Sequence, residues 1–563
     1  MPIDFEISKL HIKNFRGIKD FELEIPNQQP CFLIGANNSG KSTVLAALAL
    51  VLKGGGLHQY QVEEYDFFHS NYYKIAEEFN ILMEFSSDMP DYLPAVQGVG
   101  DPITVNGVLV KGKVVSDNRF DYRHLLIDPE KKPITYSTRT PLKGKKKERF
   151  ADHGLGWHQP YARLDEIRGY LPEVWYLKPD NLWKSLYDWR TGPLKRLASI
   201  LTKKFLEHEW EFEFDDKKRK MPETMERVYG FFKSAVAEFP FWKEDLKPRL
   251  EHTLSEYIGR DAGIELNPNI QRIEDWVSQQ LALAFSAEAD CALTPMHRMG
   301  DGWQSLVRLA SLEVLSDMAE SATENTLILY EEPETYLHPH LRRKLRDVLE
   351  KLSKKGWTIL CSTHAPEFIS FNRQQRVTRL WRYKDDVIKG EISSERIPDA
   401  VKFQELIDER GNQELLFANK VIFCEGKDDY FAVKLYSDKK GVDLDGKSVT
   451  ILDVGGAGNI PLYSKIAKEL KIPWCALTDE DIQDDGSVKP ATEQIRNELK
   501  DIISEYDTMP IWSGSLERSL GITSHKATPD WQHKNIATKS IEEIKSYYPD
   551  YAKTAEEIIN WMT

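Results

Sequence analysis

An α/β architecture of more than one domain is what this sequence predicts, on three observations. The chain has 563 residues, and single hydrophobic cores stop growing near ~250–300 residues. A glycine-rich turn, Gly35 to Ser42, sits between a short apolar strand and a helical stretch. Beyond residue 415, three further apolar strands each end in acidic residues or glycines.

The first thirty-five residues alternate as a hairpin should, with Ile7, Leu10, Ile12 and Phe15, then Phe21, Leu23 and Ile25, at apolar positions. Cys31 to Ile34 is a fully apolar strand, and Ser42 to Lys53 reads as an unbroken helix. Ile81 to Phe85 and Val108 to Val115 are strand-like. From about 160 to 290 the chain becomes Trp-rich and helical in character. Strands return at Thr326 to Tyr330 and Trp357 to Ser362. A second α/β unit opens at Lys420 to Cys424 and continues through Val449 to Val454 and Trp474 to Thr478. No internal repeat or low-complexity linker divides the chain.

Composition excludes several classes. Hydrophobic residues make up 41% of the chain, which is too many for a disordered or fibrous protein. The longest apolar run, Val44 to Leu52, has nine residues, less than half of the ~20 that a membrane span needs. The N-terminus mixes Asp4 and Glu6 into its apolar residues, unlike a secretory signal. A soluble, cytoplasmic protein is expected, with no membrane partner. Five cysteines without a CxxC pair fit buried reduced thiols. A net charge of −14 argues against indiscriminate polyanion binding, so any nucleic-acid contact needs local basic patches or metal ions. The basic clusters are Lys143 to Arg149, Lys217 to Lys220, and Arg342, Arg343, Lys344 and Arg346.

Gly35-Ala36-Asn37-Asn38-Ser39-Gly40-Lys41-Ser42 satisfies G-x-x-x-x-G-K-[ST] in its strand–turn–helix context. Backbone amides of Gly35, Asn37, Asn38, Gly40 and Thr43 can wrap phosphates at the helix N-terminus. Lys41 would reach the β- and γ-phosphates of ATP, and Ser42 would ligate Mg²⁺. Leu327 to Tyr330 runs into Glu331 and Glu332, where the first carboxylate can hold the Mg²⁺ shell and the second can orient water. Thr358 to His364 is another strand, ending in a histidine placed to sense a γ-phosphate. Gly300, Gly302 and Gln304 lie in a glycine turn that opens a helix.

The second unit carries a different chemistry. Glu425 follows its first strand, Gly455 and Gly456 follow the second, and Asp479-Glu480-Asp481 follows the third. On an extended segment, residues i and i+2 share a face, so Asp479 and Asp481 are expected together and Glu480 apart. Carboxylates gathered at one sheet edge repel, and Mg²⁺ or Mn²⁺ is their natural neutraliser. Such a cluster can promote attack on a phosphodiester. A solvated acidic loop is the plainer alternative for the D-x-D taken alone.

In combination, these motifs resemble two families joined on one chain. The first half is similar to the ATP-binding-cassette (ABC) ATPases, particularly the branch of the SMC proteins. Its Gly35 to Ser42 resembles Walker A, Leu327 to Glu332 resembles Walker B, His364 the switch histidine, and Gly300 to Ser305 the signature segment. Leu10 to Arg16 resembles the strand whose arginine, here Arg16, lies near the nucleotide. The sequence departs from that pattern in having Glu rather than Asp as the first Walker B carboxylate, no full LSGGQ, no assignable Q-loop glutamine and no coiled-coil heptads. The second half resembles the Toprim domain. The whole resembles the overcoming-lysogenization-defect (OLD) family of ATP-dependent nucleases.

The resemblance implies an ABC-type ATPase (1–160 and 291–405) carrying a mainly helical dimerisation insertion (161–290), then a Toprim domain (415–530) and a C-terminal helical extension (531–563). It implies an ATPase and metal-dependent DNA endonuclease with Glu332, Glu425, Asp479 and Asp481 catalytic. It adds Asp429 and Glu517 as metal ligands, alongside Ser42 and Glu331 at the ATP site, and a lysine from among Lys526, Lys534 and Lys539. The partners implied are DNA, a second copy of the chain or a higher homo-oligomer, and a protein of an antiphage defence system. A non-cleaving ATPase scaffold and a Toprim topoisomerase are the alternatives, the latter lacking a recognisable nucleophilic tyrosine domain.

Overall fold

Two sheets and one buried helix build the first half of the chain. The computed structural model describes residues 6–52, 61–69, 75–93, 103–116, 119–134, 171–179, 300–318, 326–383, 386–393, 399–483 and 485–562. It also describes isolated positions and short strands elsewhere between 167 and 397. The chain divides into two compact units, Met1–Asp180 with Met318–Thr563, and Asn181–Asp317.

The N-terminal hairpin is β1 (Ile7–Phe15) and β2 (Ile18–Glu24), with Leu10 and Ile12 on its buried face. β4 (Glu78–Leu93), β5 (Ile103–Ser116) and β6 (Arg119–Ile127) extend it into an antiparallel sheet of order β2-β1-β4-β5-β6. The second sheet is built on β3 (Cys31–Ile34), all four of whose side chains are buried. Its order is β15-β14-β3-β13-β12-β7. These are β7 (Glu173–Leu177), β12 (Thr326–Glu331), β13 (Thr358–Ser362), β14 (Arg376–Tyr383) and β15 (Asp386–Ser393). All pairs are parallel except the β14–β15 hairpin. Helix α1 (Lys41–Leu52) is apolar on every side and shares one core with both sheets.

The sequence reading puts helix from about residue 161, but Glu173–Leu177 is a strand. Val174, Trp175, Tyr176 and Leu177 are all buried, and they pair in parallel with Leu327 to Tyr330. A strand buried on both faces has no alternation to reveal it. The rest of the insertion expected at 161–290 lies almost wholly outside the described residues, as do Cys291 and the Lys143–Arg149 cluster. The described positions of that stretch include the short antiparallel pair β8 (Glu209–Glu211) and β9 (Lys218–Lys220). Ala284–Phe285 (β10) pairs with Thr294–Pro295 (β11). Helix α2 (Asp301–Met318) follows.

After helices α3 (Pro339–Lys354) and α4 (Ala400–Arg410), a second α/β core begins. Its parallel sheet, of order β17-β16-β18, comprises β16 (Lys420–Cys424), β17 (Val449–Asp453) and β18 (Trp474–Ala476). β19 (Thr478–Asp479) pairs with β20 (Ile511–Trp512). Helices α5 (Lys427–Lys439), α6 (Leu444–Lys447), α7 (Ile460–Glu469) and α8 (Pro490–Lys500) connect these strands. The short α9 (Leu516–Ser519) precedes α10 (Pro529–Asn535), α11 (Ile541–Tyr547) and α12 (Pro549–Met562). The last helices are not an appendage. Ile544, Tyr551, Ile558 and Met562 belong to the same hydrophobic cluster as Ile422, Cys424 and Cys475. Cys31, Cys361, Cys424 and Cys475 are buried free thiols. No helix among the described residues is long and apolar enough to cross a membrane.

Candidate nucleotide and carboxylate sites

β3 delivers the phosphate loop. Gly35 has φ +139, and a Cβ there would lie 2.1 Å from the Leu380 carbonyl oxygen, so only glycine fits. Asn38 and Gly40 also turn with positive φ. Ala36, Asn37, Asn38 and Ser42 are exposed around the turn. Lys41 opens α1, and its Nζ donates to the Gly35 and Ala36 carbonyls at 2.8 and 2.9 Å. Burial pulls its ammonium down to about 8, and the charges of Glu332 and Glu334 act in the opposite sense. Among the described residues, the buried Ser39 hydroxyl has no partner. A buried cation held only by carbonyls, beside an orphaned hydroxyl, suits an anionic ligand.

Three carboxylates stand at and just beyond the end of β12. Glu331 ends the strand and accepts a hydrogen bond from the Tyr176 hydroxyl on β7. Glu332 has φ 44, its N–H donates to Ser362 O at 2.9 Å, and its charge reaches both Lys41 and His364. Glu334 accepts from Thr363 Oγ1 at 2.8 Å and from the His364 N–H at 2.6 Å. Burial raises Glu334 despite those bonds. His364 is lowered by burial first and by Lys41 second. The structure therefore gathers Lys41, Glu332, Glu334 and His364. Glu334 and Tyr176 are additions that the sequence reading gave no role.

Arg16, also at positive φ, donates from Nε to Asp66 Oδ1 at 3.0 Å. It lines a cavity of about 530 Å³ with Tyr65, Asp66, His69 and Arg382. Arg382 Nε reaches Asn38 O on the phosphate loop at 3.4 Å. The Tyr65 and His69 rings stack at 6.3 Å. Gly300, Gly302 and Gln304 stand at the start of α2, and Gln304 is buried. A Cβ on either glycine would meet nothing within 4 Å.

The carboxylate site forms where β16 and β18–β19 end. Glu425 follows β16, and its Oε1 accepts the Asp479 N–H at 3.3 Å. Asp429, one turn into α5, accepts from Trp512 Nε1 at 2.9 Å and from the Gly426 N–H at 3.3 Å. Asp479 Oδ1 accepts the Leu516 N–H at 3.2 Å. Burial pushes Asp479 up to about 8, with Asp429 and Glu425 adding to it. Burial and then Glu425 push Asp429 up to about 7. Glu425 is raised as well, chiefly by burial. These half-buried acids, with Glu425 raising Asp429 and both raising Asp479, are short of positive charge, which a divalent cation would supply. Among the described residues, no three His, Cys, Asp or Glu already stand at metal-ligand spacing. The acids converge without forming a closed cage.

Asp481 departs from the expected geometry. The strand ends at Asp479, and Asp481 takes φ 53, so the i, i+2 rule for extended chain no longer applies. Its Oδ1 pairs with Lys489 Nζ at 2.6 Å and its Oδ2 accepts from Thr492 Oγ1 at 2.6 Å. Burial raises it, but those two bonds outweigh burial and hold it below the usual range. Its charge still acts on Glu425 and Asp479. Glu480 points elsewhere and accepts the Gly514 N–H at 2.7 Å, so it anchors a turn rather than lying in solvent. Glu517 accepts from Ser515 Oγ at 3.0 Å, and its charge reaches Asp429. Of Lys526, Lys534 and Lys539, Lys526 acts on an acid of α5, Asp428. Lys539 instead lies over the Tyr547 ring. In the basic run on α3, Arg342 pairs with Glu367, and Arg346 bonds Asp347 and the Glu367 carbonyl.

Comparison with known proteins fits both halves. The sequence matches the AAA ATPase domain family over residues 6–154 and 194–369, together more than half of the chain. It matches the overcoming lysogenization defect protein-like TOPRIM domain over residues 416–481. It is 26% identical over 501 residues to the OLD nuclease of Thermus scotoductus, covering 84% of this chain and 82% of that one. It is 26% identical over 302 residues to the Old nuclease of Escherichia phage P2, covering 50% of this chain and 49% of that one. An Smc head domain from Pyrococcus furiosus, with an extended coiled coil and bound to the C-terminal domain of ScpA, overlaps at a TM-score of 0.38 with 16% identity. It covers 72% of this chain and 100% of that one, and the family assignment does not rest on it. From the two domain matches, this protein belongs to the AAA ATPase domain family, and that ATPase is continued by an overcoming lysogenization defect protein-like TOPRIM domain.

Proposed function

We propose that this chain is an ATP-regulated, divalent-metal-dependent DNA endonuclease that acts as a homodimer or higher homo-oligomer in antiphage defence. The observation that carries the nuclease half is the convergence of Glu425, Asp429 and Asp479, two of them raised to about 7 and about 8 by burial and mutual repulsion. Mg²⁺ or Mn²⁺ held by Glu425, Asp429 and Asp479, with Asp481 and Glu517 alongside, would supply Lewis-acid charge for phosphodiester hydrolysis. Arg496, which donates to the Asp479 carbonyl at 2.8 Å, braces the strand end. In the ATPase half, Lys41 would bind phosphate, Ser42 and Glu331 would hold Mg²⁺, which supplies charge to the phosphates, Glu332 would orient water and His364 would sense the γ-phosphate. Arg16 and the Tyr65–His69 pair offer a seat for the base end of the nucleotide.

One observation favours the second reading, a non-cleaving ATPase scaffold: Asp481 is already occupied by Lys489 and Thr492. Purified protein incubated with plasmid, linear and single-stranded DNA, with Mg²⁺ or Mn²⁺ and with or without ATP, decides between them. Cleavage that needs the metal and disappears in Asp479→Ala upholds the nuclease. ATP turnover without cleavage of any substrate leaves the scaffold.

A further inference from the structure

Strand β14 touches the phosphate loop and the base of the C-terminal sheet. Its register sets Arg379 opposite Ile34, the residue before Gly35. Its Leu380 carbonyl occupies the space that a Cβ on Gly35 would need, and its Arg382 reaches Asn38 O. From the same strand, the Arg379 guanidinium turns the other way, to the C-terminal α/β core. It donates to Ala418 O at 2.7 Å and to Leu470 O at 3.5 Å.

Those two carbonyls stand at the roots of the strands that carry the acids. Ala418 precedes β16, whose far end bears Glu425. Leu470 precedes β18, whose continuation bears Asp479. Next to Arg379, Gly390 on β15 presses so closely on Leu470 that a Cβ there would come within 2.4 Å of the Leu470 carbonyl carbon. The contact leaves little slack for β15, paired with β14, to move independently of the base of the C-terminal sheet.

Adhesion alone does not account for an arginine at this place. Arg379 is 3% exposed, and among the described residues its Nε has no partner and no carboxylate pairs with it. Burial pulls it down to about 10, and only neutral groups answer it among the described residues, the two carbonyls and the Trp381 ring 5.2 Å from the guanidinium carbon. An apolar residue would fill the same space without that penalty. A guanidinium with two backbone carbonyls as its acceptors transmits a displacement to both strand roots at once.

We infer that Arg379 is a positioning residue that couples nucleotide occupancy of the phosphate loop to the geometry of the carboxylate site. Phosphate binding draws Lys41 away from the Gly35 and Ala36 carbonyls, so the loop backbone re-seats against Leu380. β14 shifts with it, and Arg379 carries the shift to Ala418 and Leu470. Glu425 and Asp479 then change spacing, which matters in a site whose acids do not yet form a closed cage.

The proposal rests on the nuclease reading for one of its two readouts. The first readout is hydrogen exchange of the backbone at 416–425 and 470–479 in the full chain, with and without Mg²⁺ and ATPγS. Wild type should change its exchange rates there by about threefold or more on nucleotide binding. Arg379→Met, of similar length, should bind nucleotide normally and lose that response, and Arg379→Lys should recover part of it. Gly390→Ala, which wedges Leu470 away, should weaken the response as well and carries the test if Arg379→Met fails to fold. An unchanged response in a folded Arg379→Met, or no response in wild type, overturns the coupling. The second readout is the ratio of DNA cleavage rates with and without nucleotide, which should collapse to about one in Arg379→Met. A wild type that cuts no DNA but shows the Arg379-dependent exchange response sinks the nuclease reading and upholds the coupling.

Discussion

Asp479→Asn should make the metal-free protein more stable, and more so as pH rises. Burial, then Asp429 and Glu425, raise Asp479 from 3.8 to about 8. The folded protein therefore holds this proton more tightly than the unfolded chain does. Stability from this group is intact below about pH 4 and is lost as pH rises towards about 8. At about 1.4 kcal/mol per unit, the full penalty is about 6 kcal/mol. Asp429, raised to about 7, is still part-protonated over much of that range and relieves some of the repulsion. Asparagine keeps the acceptor for the Leu516 N–H while removing the charge. Its expected gain at pH 8.5 is about 3 kcal/mol, or about 8 °C in the unfolding midpoint of a domain of this size. Scanning calorimetry in EDTA at pH 4 and pH 8.5 measures it. Mn²⁺ should raise the wild-type midpoint at pH 8.5 and leave Asp479→Asn nearly unmoved. A variant no more stable than wild type at pH 8.5, or equally stabilised at both pH values, would refute the account of mutually repelling buried acids.

The other expectations are simpler. Lys41→Ala should weaken ATP binding by about a hundredfold, while Glu332→Gln binds ATP and hydrolyses it about a hundredfold more slowly; steady-state turnover near wild type in both would remove the phosphate-loop mechanism. Asp481→Ala should abolish DNA cleavage with ATP hydrolysis within about twofold of wild type, whereas Glu480→Gln, which keeps an acceptor for Gly514, should cut at near-normal rate. Equal damage from both changes would return the D-x-D to an acidic loop. Light scattering should give a dimer or larger assembly at micromolar concentration, and a monomer with and without ATP would contradict it.

The parts of the fold that were legible in the sequence are those set by local rules. The phosphate loop is one continuous turn whose fixed residues meet because they are neighbours in the chain, and β3 and α1 flank it as read. Glu425 and Asp479 meet where the sequence places them because acids ending adjacent parallel strands gather at one edge. The rule failed two residues later. Asp481 leaves the extended conformation, so its partners Lys489 and Thr492 could not be inferred from alternation. Tyr176 was missed because a run of four consecutive buried residues shows no period of two. Glu334 was visible in the sequence, but its partners Thr363 and His364 come from the neighbouring strand. Likewise, nothing in residues 541–562 marks them as part of the second core, since the apolar face of an amphipathic helix does not name what it covers.

The environments of the three acids after β12 divide their labour. Glu331 is half-buried and already engaged by Tyr176, which steadies a carboxylate at the strand edge without charge-pairing it. Glu334 spends both oxygens on Thr363 and His364, and its raised state lowers the cost of burying it. It thereby fixes the backbone of the histidine rather than meeting a reactant. Glu332 alone is exposed, and among the described residues its carboxylate accepts no hydrogen bond. Its φ of 44 is a costly conformation for a non-glycine residue, held by the bond from its N–H to Ser362 O. That strain turns its side chain off the strand direction and brings its charge to bear on Lys41 and His364. A residue kept in an unfavourable conformation, with its carboxylate unspent and its charge felt at Lys41, suits the water-orienting role proposed for Glu332, and it suits neither of its neighbours.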